Sequence, residues 1–221
     1  EQKTAAGIPI NEATRELLAR LFKEHMPVVF NGNGYTKEWE EEAARRGLPN
    51  LKNTVAALEC YSAPSVMDTF MRHGILSERE ILARQEIMLN GYVQSIAIEA
   101  NLTSSMGRST ILPPALRCQI EAGKAAQLAK TLVGSESSLP EETHFLHIRD
   151  HVLGLMRALD TLDKARSELK KPGNAFQRAH TARDIVLPAM VECRLHADAL
   201  ENLVDNDAWP LPKYAELLWL H

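Results

Sequence analysis

The sequence predicts a mainly α protein: an antiparallel bundle of long helices, some kinked at proline, preceded by a short mixed segment. Three observations carry this expectation. From Ser77 onward apolar residues recur at helical spacing almost without interruption. The stretch from Glu141 to Lys171 aligns Phe145, Ile148, Val152, Leu155, Leu159 and Leu162 on one stripe, as an amphipathic helix of many turns requires. The best strand candidate, "VVF" after Pro27, is too short to be more than a strand fragment or an extended connector.

The elements follow in order. "NEATRELLARLFKEH" places Leu17, Leu18, Leu21 and Phe22 on one helical face, with Asn11 or Thr14 available as a cap. Pro27 ends that helix. In "FNGNGYTKEW" the residues Asn31 to Gly34 read as a turn that tolerates positive φ. A second helix starts near Thr36 and stops at Gly47, with glutamates in its first turns and Arg45 and Arg46 in its last, both matching the helix dipole. Between Leu48 and Leu76, Pro49, Pro64 and Gly74 leave room for one or two short helices.

Ser77-Glu78-Arg79-Glu80 is a capping box that opens a helix-periodic run ending at Gly134, which Pro113 and Pro114 must kink or divide. After the polar loop "SESSLP" comes the long amphipathic helix, then the breaker "PGN". A further helix, bent at Pro188, leads into "NDAWPLPKYAELLWLH". Long helices joined by short loops imply antiparallel neighbours. "ILPPALRC" and "IVLPAMVEC" echo each other, each with proline inside a helical run and an arginine a few residues earlier, Arg108 and Arg183. They predict a matched pair of kinked helices. Trp209, Tyr214 and Trp219 gather aromatic bulk at the end of the chain, where it would clasp the bundle or form a subunit interface.

Composition narrows the function classes. With 45% apolar and 24% charged residues the 221-residue chain is globular in character, and no run approaches the roughly 18 consecutive apolar residues of a membrane span. A net charge of −4 and the absence of a basic cluster with interleaved aromatics argue against nucleic acid as a partner. Cys60, Cys118 and Cys193 lie far apart without a CxxC pair, which suits a reducing compartment and a cytoplasmic location. The N-terminus has no initiator Met and no apolar signal core, so the chain is expected to start inside a longer gene product.

The candidate chemistry is sparse. "GNGYTK" fails as a dinucleotide fingerprint because Lys37 stands where the third glycine belongs, and no GK[ST] follows to make a phosphate loop. Glu40, Glu41 and Glu42 read as a solvated helix face, and no serine, cysteine or lysine carries a nucleophile signature. His144, His147 and His151 share one helical face and are the residues that spacing offers to a metal ion. They would need further ligands from a facing helix, where Glu192, His196 or Asp198 could serve. Against this, His144 and His151 lie beside Glu141, Arg149 and Asp150, as expected of a solvated helix face, and no metal ligand is assigned.

Four separated segments resemble the C-terminal third of type III glutamine synthetases: "VVFNGNGYTKEWEEEAARRGLPNLKNTVAAL", "HGILSEREILARQEIMLNGYVQSIAIEANL", "ILPPALRCQ" and "VLPAMVECRLHADALENLVDNDAWPLPKYAELL". They run in family order from about Pro27 to Leu218. The resemblance implies an ATP-dependent glutamate–ammonia ligase in which Mg²⁺ or Mn²⁺ clamps the phosphates. It also implies a large double-ring homo-oligomer, so that the partners would be the remainder of the polypeptide and its other subunits. In that family the metal-binding and substrate-binding residues belong to a catalytic barrel preceding this region, so no catalytic or cofactor-binding residue is carried over here, and no cofactor is expected in this chain alone. Residues 1–57 would then be the tail of the catalytic domain and residues 58–221 a type-specific helical domain. A free-standing helical binding module, using the histidine face and without ligase activity, is the alternative.

Overall fold

The computed structural model describes residues 7–26, 29–134, 136, 138–212 and 214–218. It divides into two compact units, Glu1–Asn53 and Thr54–His221, four residues before the boundary expected at 57.

The first unit holds α1 (Ile10–His25) and α2 (Lys37–Arg45). Helix α1 begins one residue before Asn11, so neither Asn11 nor Thr14 caps it. Pro9 occupies the cap position, and its carbonyl accepts the N–H groups of Glu12 and Ala13 at 3.0 and 3.1 Å. The apolar face predicted for α1 exists but covers nothing: none of its residues is buried, and Leu18 and Phe22 are 46% and 67% exposed. Pro27 and Val28 lie outside the described residues, while Val29 and Phe30 form no strand.

The connector that follows is a turn for a different reason from the one expected. Neither Gly32 nor Gly34 has positive φ. Instead the Asn33 side chain accepts the Tyr35 N–H at 3.0 Å, and its carbonyl accepts the Thr36 hydroxyl at 3.0 Å. Glycine is required at 32 because a Cβ there would lie 2.4 Å from the Phe30 ring. That ring stacks on Trp39 with centroids 4.4 Å apart, and the Arg46 guanidinium lies 5.9 and 5.8 Å from the two ring centres. Helix α2 ends at Gly47, φ 73°, with Leu48 N–H donating to the Ala43 carbonyl and Gly47 N–H to that of Ala44. This paired closure is the glycine-terminated stop that the sequence predicts.

The second unit contains α3 (Thr54–Tyr61), α4 (Pro64–Arg72), α5 (Glu78–Met106), α6 (Leu112–Val133), α7 (Leu139–Leu169), α8 (Ala175–Thr181), α9 (Leu187–Glu201) and the short α10 (Tyr214–Leu217). The Ser77–Glu80 capping box opens α5 as expected. A second box, Asn174 with Gln177, opens α8, so Asn174 of the "PGN" breaker also starts a helix. No strand occurs among the described residues.

The proline echo is a structural match. Five-residue π turns, Gly107–Ile111 and Ala182–Val186, precede the two proline sites. In each, the residue just before the proline donates its N–H to the carbonyl five positions back, Leu112 to Gly107 and Leu187 to Ala182. Proline has no N–H and its ring would collide with the carbonyl four residues earlier. Widening one turn moves those carbonyls aside and lets the helix continue, which is how both runs kink without breaking. Arg108 and Arg183 each stand second in their π turn.

Helix α7 is the central member, packed against α6 on one side and α9 on the other. Gly107 meets Leu159, Gly123 meets Phe145 and Lys130 pairs with Glu142, so numbers fall along α7 as they rise on its neighbour and the two run antiparallel. The core is the stripe read from the sequence from Ile148 onward, with Val152, Leu155, Leu159 and Leu162, each 1% exposed or less, while Phe145 at its start is only half-buried. Each such side chain contributes about 1.5–3 kcal/mol through burial. Trp209 joins this core at 8% exposed, so this aromatic clasps the bundle. Trp219 and the Tyr214 side chain lie outside the described residues.

Candidate functional site

The structure separates the histidines that spacing grouped. His144 and His147 are exposed, whereas His151 is half-buried and turns toward α9. There its Nδ1 lies 3.2 Å from Nδ1 of His196, with ring planes inclined at 59°. His196 in turn places Nε2 3.4 Å from Glu192 Oε1, one turn back on α9. Of the three residues expected from the facing helix, only His196 meets His151; Glu192 lies beside the far nitrogen of His196. The third, Asp198, is held by Arg194 at 3.2 Å. The His196 ring lies flat against α7 because residue 154 is glycine: a Cβ there would sit 2.2 Å from Cε1. Among the described residues no three His, Cys, Asp or Glu side chains converge in a way that could hold a metal ion.

A second polar cluster sits where the first π turn crosses α7. Buried Ser104 donates to Asp163 Oδ1 at 2.8 Å, Arg108 reaches both Asp160 and Asp163, and Arg166 joins Asp163 to Asn101. Partial burial works against the Asp163 carboxylate, but hydrogen bonds from Ser104, Arg108 and Arg166 together outweigh it and hold its pKa below the ordinary aspartate value. Sequence reasoning misses this network, because Asp163 stands more than fifty positions from Ser104 and Arg108, and Arg166 as far from Asn101. Arg183, at the matching position, serves locally instead, bonding to Asp184 and His180.

The remaining candidates resolve as structure. Glu42 is gripped by Arg45 first and Arg46 second, which draws its pKa down to about 2; it is a helix-end ion pair. Burial pushes the Cys193 thiol up to about 11, which leaves it protonated and a poor nucleophile. Beside Cys193 an open groove of about 610 Å³ runs between α5 and α9, floored by Leu155 and Ile111 and walled by Leu102, Met106, Met190 and Val191. No helix among the described residues is long and apolar enough to cross a membrane.

Comparison with known proteins places these features in a family. The sequence model of the glutamine synthetase C-terminal domain matches residues 13–130, more than half of the chain. The chain is 32% identical to a glutamine synthetase of Butyrivibrio fibrisolvens over 97% of its own length and 31% of the relative's. It is 32% identical to the type-3 glutamine synthetase of Dictyostelium discoideum over 89% of its length and 27% of that protein's. With a glutamine synthetase of Bacteroides fragilis (strain YCH46) the identity is 29%, over 92% of the chain and 29% of the relative. The chain therefore spans about a third or less of these relatives. The family-model match and the relatives, one of them a type-3 enzyme, show that the chain belongs to the glutamine synthetase family and corresponds to the C-terminal region of its type III members.

Proposed function

We propose that this chain is the C-terminal part of a type III glutamine synthetase, the ligase that joins glutamate and ammonia at the expense of ATP, releasing ADP and phosphate. In this reading it contributes scaffold, subunit-interface or regulatory surface, and the reaction is carried out by the preceding catalytic domain, of which residues 1–57 are the tail. The observation that carries the reading is the uncovered apolar face of α1. A helix with Leu17, Leu18, Leu21 and Phe22 on one side and no buried residue has a partner surface elsewhere. The remainder of the polypeptide and the other subunits of a cytoplasmic homo-oligomer supply such a surface.

ATP and Mg²⁺ or Mn²⁺ serve the parent enzyme, where the metal would neutralise phosphate charge. The residues described here do not fit that clamp, since no acidic or histidine trio converges, and no step is assigned to them. The test is γ-glutamyl hydroxamate formation, assayed for the 221-residue chain alone and for the complete polypeptide with Leu18 and Phe22 each changed to Gln. The expected result is no product from the chain alone and a smaller, less active assembly from the variant. Hydroxamate from the isolated chain would overturn the reading.

The alternative, a free-standing helical binding module, is favoured by one specific observation, the contact between His151 and His196 at the α7–α9 seam. Reading the DNA upstream of the Glu1 codon separates the two, since the module requires a start codon there and the ligase a continuous frame.

A further inference from the structure

We propose that the cleft between α5 and the start of α8 is a binding site for a free α-amino acid with an apolar side chain. The cleft measures about 570 Å³, a size suited to a small organic ligand, and its walls include Leu82, Gln85, Glu86 and Asn90 of α5 with Phe176 and Arg178 of α8. Three acceptors stand along the α5 wall. Gln85 is only 4% exposed, and its carboxamide nitrogen donates to the Leu58 carbonyl at 2.5 Å and to the Ser62 hydroxyl at 2.9 Å. Both amide protons are therefore spent, and among the described residues no donor reaches the remaining oxygen. A buried acceptor of this kind takes its donor from the space that it lines. Glu86 and Asn90 follow, one turn apart on α5, and neither side chain has a partner among the described residues.

The facing wall carries the opposite charge. Arg178 is half-buried, and among the described residues its guanidinium has no acidic partner. A carboxylate and a guanidinium thus share one cleft without closing on each other, whereas Arg108, Arg166 and Arg183 of the same unit are each tied to an aspartate. Opposite charges held apart across a cleft complement a zwitterion. An α-ammonium carries three donors, which match the Gln85 oxygen, the Glu86 carboxylate and the Asn90 carboxamide oxygen. An α-carboxylate matches the two-pronged guanidinium of Arg178. Phe176 and Leu82 then offer the ligand's side chain an apolar wall. The site lies within α5 and α8 and exists whether or not the chain is joined to a ligase barrel.

The test is an NMR titration of the 221-residue chain with L-leucine, with its methyl ester, which lacks the carboxylate, and with N-acetylleucine, which lacks the ammonium. Leucine is expected to shift the side-chain amide signals of Gln85 and Asn90 and the ring protons of Phe176 saturably, with Kd on the order of 0.1–1 mM, as suits an open cleft. Each blocked derivative should bind about tenfold more weakly, because one charged hydrogen bond is lost. Glu86→Gln and Arg178→Gln should each weaken leucine binding by a similar factor of about ten. Circular dichroism checks that both variants keep their helices, and the comparison of the three probes on the unmodified chain needs no variant. The absence of a saturable shift with leucine would overturn the proposal. Equal binding of either blocked derivative would do the same, and so would an unchanged affinity in the Glu86→Gln/Arg178→Gln double variant.

Discussion

Arg108 grips Asp163 with two donors, Nε at 3.2 Å and Nη2 at 2.7 Å, and so ties the first π turn to the central helix α7. Both donors converge on one oxygen, Oδ2, and the opposite charges strengthen the contact. The remaining oxygen of Asp163 takes the hydroxyl of Ser104, which is only 4% exposed and has no water to replace a lost acceptor.

Asp163→Ala is therefore expected to cost about 2 kcal/mol, mostly through the stranded Ser104 hydroxyl, and to lower Tm by roughly 4–8 °C, while Arg108 and Arg166 keep Asp160 and Asn101. Asp163→Asn, which keeps an acceptor for Ser104, should cost about half as much. The folded-state pKa of Asp163 lies below the ordinary value, so its contribution is present above the usual aspartate range and is lost as pH falls below about 4. Acid titration of stability should be shallower in Asp163→Asn than in the unmodified chain; identical acid limbs would remove the role assigned to this carboxylate.

Two glycines inside long helices should respond in opposite directions to the same change. Gly91 on α5 has nothing within 4 Å of an added Cβ. Gly91→Ala is expected to stabilise by about 0.5–1 kcal/mol through helix propensity alone. Gly154→Ala gains the same propensity but drives a methyl group into the His196 ring, and should destabilise by about 1–2 kcal/mol net. Denaturant midpoints of the two variants check the pair, and a stabilising Gly154→Ala would contradict the close packing of α7 on α9.

The three thiols should differ in reactivity at neutral pH. Cys60 is exposed and Cys193 is buried with its pKa near 11. Iodoacetamide followed by mass spectrometry should modify Cys60 in the native chain and spare Cys193 until denaturant is added. Rapid native labelling of Cys193 would show that the groove beside it opens.

Gln119 carries a buried carboxamide oxygen with no hydrogen-bond partner. An unmet acceptor costs about 1–3 kcal/mol, so Gln119→Met, close in shape and free of that oxygen, should be neutral or stabilising by about 1 kcal/mol. A loss above about 1 kcal/mol in chemical denaturation would show that the oxygen is bonded in solution.

Much of the fold was legible in the sequence because helices are specified locally. The Ser77–Glu80 capping box, the Gly47 stop and the Ile148-to-Leu162 stripe depend on neighbours within one to four turns, and each stands where periodicity placed it. The proline pair was legible as a kink, since a missing N–H acts on the turn directly before it. Where glycine serves a contact instead of a dihedral angle, as at Gly32 beneath Phe30 and Gly154 beneath His196, the cause lies in a ring that folding brings close. The sequence by itself determined most of the helices and their breaks, the Ser77 cap and the Gly47 stop, and the family to which the chain belongs. Only the tertiary structure decided that His151 leaves its two helical neighbours for His196 and that Arg108 and Ser104 meet at Asp163. Helical periodicity fixes which face a side chain occupies, but the register between two packed helices is set by how their side chains interlock, and no spacing within one helix records it.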